Sequence, residues 1–443
     1  MNLLKGQKFL KQKEFGKALK IFQKIEKKNI KDKRIFFYLG LVYFELNKYD
    51  KSIDYYNKFL NEHPNSLGAL YNLALVKQVV GDLQHAQEIY LKLLSINRLN
   101  IRAYYGLYML DSNFLSDEMF QDLLQIRNNN KFSLYDEGLI NFLLSKKEKK
   151  NKKYKKEIDY LNNYHLKIFN SNYSYNLTSQ FYYNKIINKN FDKIKTNLEK
   201  ITGTQNFDIY PIFIIGLPRS GSTLVESILT STKEQISSCG ESHVVNMSIL
   251  NQISPKIFNK RFNEKKFIFE IDLKKLNENI LNRYLDYNYE FKNIEKFIDK
   301  SLENFFNIEI ILQFFPNAKF LHTFRNYKDA IIGIYQTMLP GLSWSHKIMD
   351  IINYINLYEK TIRYFKKKYP DKIIDVDLNK LTNQKELETK KILNFCEIKF
   401  KEDFLDFNKK NKLFNKTNSF LQVRQNIKSY EYDKYKKYYY LLD

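Results

Sequence analysis

Four consecutive apolar residues, Ile212 to Ile215, are followed by a polar, glycine-containing turn and then by Thr223-Leu224-Val225-Glu226-Ser227-Ile228-Leu229, whose apolar positions recur at helical spacing. This pattern predicts a buried parallel strand, a tight loop and an amphipathic helix. A second apolar strand is expected at Phe320-Leu321-His322-Thr323-Phe324, after a short helix end at Phe315-Pro316. The first 110 residues carry only helical spacing, and they repeat. Gly6, Gly40 and Ala74 recur every 34 residues, as do Phe9, Tyr43 and Lys77, then Ala18, Ser52 and Ala86, then Phe22, Tyr56 and Tyr90. Small residues in such a column let two helices approach closely, and the bulky column fills the groove between units.

Beyond Asp111 the helical patterns continue more irregularly, broken by the run Lys146 to Lys153, which reads as a solvated loop or helix face. Tyr154 to Phe169 has the spacing of one more degenerate repeat helix. Tyr183 to Ile201 reads as a helix leading to a boundary in Thr202-Gly203-Thr204-Gln205. The expected division is therefore 1–110 for the repeats, 111–205 for a helical connector and 206–443 for the second domain.

Composition changes this picture little. The net charge of +24 would suggest a polyanionic partner, yet only ten of 73 basic residues are Arg, and abundant Lys, Asn, Ile, Tyr and Phe point to a bias toward A/T-rich codons. The charge is poor evidence for nucleic acid. Three of the ten arginines, Arg219, Arg325 and Arg424, fall within the motifs below. Two cysteines, Cys239 and Cys396, make no disulfide framework, and neither has a Cys or His neighbour at metal-ligand spacing, so no metal is expected. With no apolar leader and no run of about 18 apolar residues, the expectation is a cytoplasmic chain without membrane insertion.

The loop Gly216-Leu217-Pro218-Arg219-Ser220-Gly221, followed by Ser222 and Thr223, has the G-x-x-x-x-G spacing of a phosphate cradle, and the N–H groups and dipole at the helix start would face an anion. Ser222 stands where a nucleotide hydrolase has lysine. That argues against an ordinary kinase or ATPase, as does the lack of a clear magnesium-binding Asp after an apolar strand.

The pattern P-R-S-G-[ST]-T resembles the 5′-phosphosulfate loop of sulfotransferases, and Phe36-x-x-Leu39-Gly40-x-x-Tyr43 with Pro64 resembles the tetratricopeptide repeat. The chain is thus similar to bacterial tetratricopeptide-repeat sulfotransferases, close to the tyrosylprotein branch. That resemblance implies helical repeats followed by a P-loop-like α/β domain with a mainly parallel sheet, and 3′-phosphoadenosine-5′-phosphosulfate as donor. It implies cofactor contacts from Leu217, Pro218, Arg219, Ser220, Gly221, Ser222 and Thr223.

Glu241, in Cys239-Gly240-Glu241, matches the family's general base, and His243 is the weaker alternative. Lys300, in Asp299-Lys300-Ser301-Leu302, matches the lysine beside the bridging oxygen, with Leu302 where proline is usual. Arg325 matches the arginine of the 3′-phosphate site, whose partner serine is Gly333 here. Thr417-Asn418-Ser419-Phe420-Leu421-Gln422-Val423-Arg424-Gln425 resembles a segment that closes over the cofactor, implying contacts from Ser419, Gln422 and Arg424, with Lys436 or Lys437 as a later basic contact. Leu378 stands where the family has a cofactor-contacting tyrosine. His322, on an apolar strand, reads as a core residue. The implied partners are an acceptor protein, glycan or small molecule, with a peptide as the ordinary ligand of such repeats. Gly333, Leu302 and Leu378 keep open the alternative of a non-catalytic scaffold with a degenerate nucleotide fold.

Overall fold

The computed structural model describes residues 3–28, 32–114, 116–187, 209–231, 236–257, 271–287, 296–400, 431 and 433–442. The boundary expected at Thr202–Gln205 and most of the helix expected from Tyr183 lie outside these. The chain divides into two compact units, one holding residues up to Leu177 together with Tyr335–Lys347.

That first unit is helical: α1 (Leu3–Lys11), α2 (Phe15–Lys27), α3 (Arg34–Glu45), α4 (Tyr49–Glu62), α5 (Leu67–Val80), α6 (Leu83–Ile96), α7 (Ile101–Leu110), α8 (Asp117–Asn129), α9 (Leu134–Lys150) and α10 (Tyr154–Ser171). The 34-residue columns explain the packing. A Cβ on Gly6 would lie 2.2 Å from the Phe22 ring, and one on Gly40 would lie 2.9 Å from Tyr56, so each pair of helices closes over an aromatic ring. Phe22, Tyr56 and Tyr90 are fully buried. Ser52 adds a hydrogen bond from its Oγ to the Gly40 carbonyl at 2.7 Å. α5 ends at Gly81 in the left-handed conformation.

The lysine run is the expected solvated stretch in its second half, where Lys150, Asn151, Lys152 and Lys153 are exposed, and departs from it in its first. Lys147 is 5% exposed and pairs with Asp117 at 2.7 Å, while Lys146 and Lys149 donate to Gln336 O and Oε1, each at 2.5 Å. Long aliphatic stems let a buried helix carry ammonium heads to carbonyl and carboxylate partners.

In the same unit His165 Nε2 donates to the Tyr335 carbonyl at 2.8 Å, leaving Nδ1 as the acceptor for His346 Nδ1–H at 3.1 Å. Both rings are buried. Burial pushes His346 from 6.5 down to about 4 and His165 also downward. A depressed histidine contributes stability that is complete above its unfolded value and is lost as the pH falls toward its folded one. Acidification from pH 6.5 to 4 should therefore cost about 3 kcal/mol through His346. Urea unfolding followed by helical circular dichroism at pH 7 and 4.5 checks this, and His346→Gln should narrow the difference, with the share due to His165 remaining; an equal acid loss in the variant would exclude His346 as a source.

The second unit is built on five parallel strands, β1 (Tyr210–Gly216), β2 (Ser237–Ser238), β3 (Lys296–Asp299), β4 (Lys319–Phe324) and β5 (Ile373–Asp377), in the order β2-β3-β1-β4-β5. Side-chain alternation gives each face its own layer. Ile212, Ile214, Ile298, Leu321 and Val376 pack with Val225, Ile228, Ile392 and Leu393 from helices Ser222–Thr230 and Lys385–Phe395. On the other face Phe213 stacks on Phe320 at 5.4 Å, and Phe297 meets Tyr284 of helix Leu273–Tyr287 at 4.7 Å. His322 sits on this face, bonded to Asp375 at 2.7 Å and to the Tyr358 hydroxyl. Among the described residues no helix is long and apolar enough to cross a membrane.

The strand order has a functional consequence. From β1 the chain leaves toward β2 on one side, while from β4 it leaves toward β5 on the other, so a crevice opens at the carboxyl ends of β1 and β4.

Candidate functional site

β1 runs into the loop at Gly216, whose φ is +143°, and a Cβ there would lie 2.2 Å from the Thr323 carbonyl at the end of β4. Only glycine lets the two strand ends approach so closely. Ser220 holds the turn from within, donating to the Leu217 carbonyl at 2.6 Å and meeting Thr323 Oγ1 at 2.8 Å. Gly221, at φ +89°, caps helix Ser222–Thr230, and a Cβ on it would strike Leu378 at 2.6 Å. Leu378, at the position of a tyrosine in the resembled family, thus packs against the loop itself.

Arg219 takes a left-handed backbone, φ +67°, which costs a residue with a Cβ about 1–2 kcal/mol. It sits beside Arg325, which follows β4 and donates from Nη1 to the Arg219 carbonyl at 3.3 Å. Burial of its guanidinium pushes Arg219 below the usual arginine range, and Arg325 adds to this while Tyr435 opposes it. Arg325 pairs with Asp329 at 3.5 Å, and the Tyr439 hydroxyl donates to Asp329 at 2.6 Å. Its guanidinium also lies over the Tyr435 ring, 5.1 Å from the centroid. Two cations held this close, with one carboxylate between them and the C-terminal turn, suit a multiply charged anion.

A second cationic centre lies where β3 ends. Lys300 is 1% exposed, and its Nζ is 3.0 Å from Glu226, 3.4 Å from Glu241 and 3.4 Å from Thr223 Oγ1. Burial alone would push this ammonium down, but the Glu226 and Glu241 carboxylates raise it above the ordinary lysine range. It is therefore a fixed positive charge beside the first turn of the loop helix. Glu226 is anchored by Ser238 Oγ at 2.6 Å, and Ser238 also accepts from Gly240 N at 3.0 Å. The Lys300 N–H donates to the Gly240 carbonyl at 2.9 Å, tying the segment that carries Glu241 to the end of β3.

Asp299 braces the same corner. It is fully buried and accepts from Ser242 Oγ at 2.5 Å, Tyr284 OH at 2.7 Å and Ser301 N at 2.8 Å; burial raises its pKa against the lowering of these bonds. His243 faces Glu303, Nδ1 to Oε1 at 2.5 Å, and its own N–H donates to Ser301 Oγ at 2.7 Å.

The structure thus brings together Leu217 to Thr223 with Arg325 and Gly333 on one side and with Lys300 and Glu241 on the other. Lys436 and Lys437 are both exposed, and Lys436 pairs with Asp433 at 2.5 Å. Ser419, Gln422 and Arg424 lie outside the described residues. Glu226, Asp329 and Tyr435 were missed by the sequence reading. The one available signal was a carboxylate inside an otherwise apolar helix run, Leu224-Val225-Glu226-Ser227-Ile228, which asks for a buried cation. Among the described residues no cluster of His, Cys, Asp or Glu could hold a metal ion.

Residues 211–402 match the model of the sulfotransferase family, and residues 35–66 match that of the tetratricopeptide repeat. An uncharacterized protein of Aquifex aeolicus (strain VF5) is 27% identical over 406 residues, covering 89% of this chain and 52% of that protein, so the chain spans about half the length of the curated relative it matches. The sulfotransferase domain of the olefin synthase of Synechococcus PCC 7002 is 18% identical, with a TM-score of 0.38, over 53% of this chain and 91% of that one. A Mycobacterium tuberculosis H37Rv sulfotransferase is 12% identical, with a TM-score of 0.30, over 66% of this chain and 91% of that one.

Proposed function

We propose that this chain, which carries a sulfotransferase-family domain at 211–402 and a tetratricopeptide repeat ahead of it, moves a sulfuryl group from 3′-phosphoadenosine-5′-phosphosulfate to an acceptor hydroxyl on a protein tyrosine, a glycan or a small alcohol. One observation carries the reading: two separate cation-bearing centres, Arg219 with Arg325 and Lys300 with its partners Thr223, Glu226 and Glu241, flank a single strand-to-helix loop. A donor with phosphate at both ends of its ribose needs two such centres. An adenosine triphosphate site needs one, with a lysine in the loop itself.

The donor supplies an activated sulfur–oxygen bond whose bridging oxygen gains charge as it breaks. The loop Leu217 to Thr223, through the backbone N–H groups from Arg219 onward at the start of its helix, holds the 5′-phosphosulfate end. Arg325 takes the 3′-phosphate with a planar fork of donors. Glu241 accepts the acceptor's proton, the acceptor oxygen bonds to sulfur, and the bond to the phosphate oxygen breaks, leaving adenosine 3′,5′-bisphosphate. Lys300 neutralises the charge on the departing oxygen. The repeats, in this reading, present a peptide-binding surface to the acceptor or to another partner protein.

Adenosine 3′,5′-bisphosphate should raise the melting temperature, stabilising the protein by about 2.7 kcal/mol at a hundredfold excess over its Kd, whereas ATP with magnesium should not. Arg325→Ala should weaken the bisphosphate about 10- to 150-fold while 5′-AMP changes little. Calorimetric titration of both nucleotides decides it, and an equal loss for the two would remove Arg325 from the 3′-phosphate site.

A further inference from the structure

Gly333 lies on helix Tyr327–Tyr335, on the side that faces Tyr435 and Arg219. A Cβ built there meets Tyr435 Oη at 3.5 Å, Tyr435 Cζ at 3.7 Å and Arg219 Cβ at 3.8 Å, all ordinary contact distances. The helix thus offers no side chain at a point where one would fit, and a phenol hydroxyl from the C-terminal turn reaches that point instead. Tyr435 is only 8% exposed, and the Arg325 guanidinium lies over its ring. One residue on, Lys436 turns outward to Asp433. The turn is fastened to the same site a second time, through Tyr439 and Asp329.

We infer that Tyr435 is a ligand-binding residue of the arginine-lined half of the site, its hydroxyl donating to a phosphate oxygen held by Arg325 and Arg219, and that this hydroxyl does the work that a side chain at position 333 would otherwise do. Ring and hydroxyl have separate duties. The ring face keeps the Arg325 guanidinium in plane by cation–π contact, and the hydroxyl supplies a neutral donor between two charged ones. A phenol suits that place because it adds a hydrogen bond to the anion without adding a third positive charge to two that already repel. This inference rests on the reading of Arg325 as the 3′-phosphate ligand, and it adds the Tyr435 hydroxyl to that site.

The test is a cycle of four proteins, wild type, Tyr435→Phe, Gly333→Ser and the double variant, each titrated calorimetrically with adenosine 3′,5′-bisphosphate and with 5′-AMP. Tyr435→Phe keeps the ring over Arg325, so its melting temperature should match wild type. It should bind the bisphosphate about 10-fold more weakly, with 5′-AMP unchanged. In the double variant, the serine hydroxyl enters the space the phenol oxygen vacated, and most of the lost affinity should return. Tyr435→Phe binding the bisphosphate like wild type would overturn the inference, as would an equal loss for both nucleotides, which marks a wall and not a phosphate ligand. So would a double variant no better than Tyr435→Phe. A wild type that binds the bisphosphate no more tightly than 5′-AMP is a different failure: it removes the 3′-phosphate reading itself, and this inference with it.

Discussion

Lys300→Met should cost about 3–5 kcal/mol of folding stability and also abolish transfer, two losses that a second substitution can separate. The stability loss follows from burial. The Glu226 side chain is 4% exposed and pairs with Lys300 at 3.0 Å, so removing the ammonium leaves a carboxylate in the interior that, among the described residues, keeps the Ser238 hydroxyl as its hydrogen-bond donor. Breaking one side of a buried pair is far more costly than replacing both sides by apolar groups. The double variant Lys300→Met, Glu226→Leu should therefore recover most of the stability. It should not recover transfer, because the charge beside the loop helix is still missing. Urea unfolding measures the first effect and single-turnover assay with labelled donor the second. A double variant that regained transfer would show Lys300 to be a structural cation only, and a single variant of undiminished stability would show that the buried pair holds nothing together.

The second large effect belongs to Glu241. Its side chain is 44% exposed and its Oε1 lies 3.4 Å from Lys300, so it is open to an acceptor while a fixed cation steadies it. Glu241→Gln keeps the shape and cannot take a proton. Donor affinity and melting temperature should hold, since Glu226 carries the buried half of the pairing, while turnover falls by at least about 10². The assay needs an acceptor, found by screening tyrosine peptides, glycans and small alcohols with labelled donor. His243 is the comparison: its ring is steered by Glu303 and its backbone is tied to Ser301. If His243→Ala loses turnover and Glu241→Gln does not, the base is His243 with Glu303 as its orienting carboxylate.

What could be read from the chain alone was whatever is local. The strand, loop and helix around Arg219 are contiguous, so four apolar residues, two spaced glycines and a helical period were enough to expect them, and the structure has Tyr210–Gly216 and Ser222–Thr230 there. The 34-residue repeat was legible for the same reason: each small residue meets the ring of the helix that follows, as Gly40 meets Tyr56. Lys300 and Arg325 were legible as motif members at the ends of apolar runs, although nothing in either run says what the side chain faces.

Those partners were decided by strand order. Because β1 lies between β3 and β4, the residue after β3 is carried to one flank of the loop and the residue after β4 to the other, which is why Lys300 and Arg325 end on opposite sides of the same helix start. Glu226 illustrates the limit: a carboxylate in an apolar helix run demands a cation, but with 63 lysines in the chain only the parallel pairing of β1 with β3 selects Lys300. Tyr435 illustrates it further. Its hydroxyl, the gap at Gly333 and the Arg325 guanidinium are brought within a few ångströms by the C-terminal turn, across more than a hundred residues, and no spacing rule spans that distance. Hydrophobic periodicity determines which faces are buried; which charged groups then meet is set by the topology that buries them.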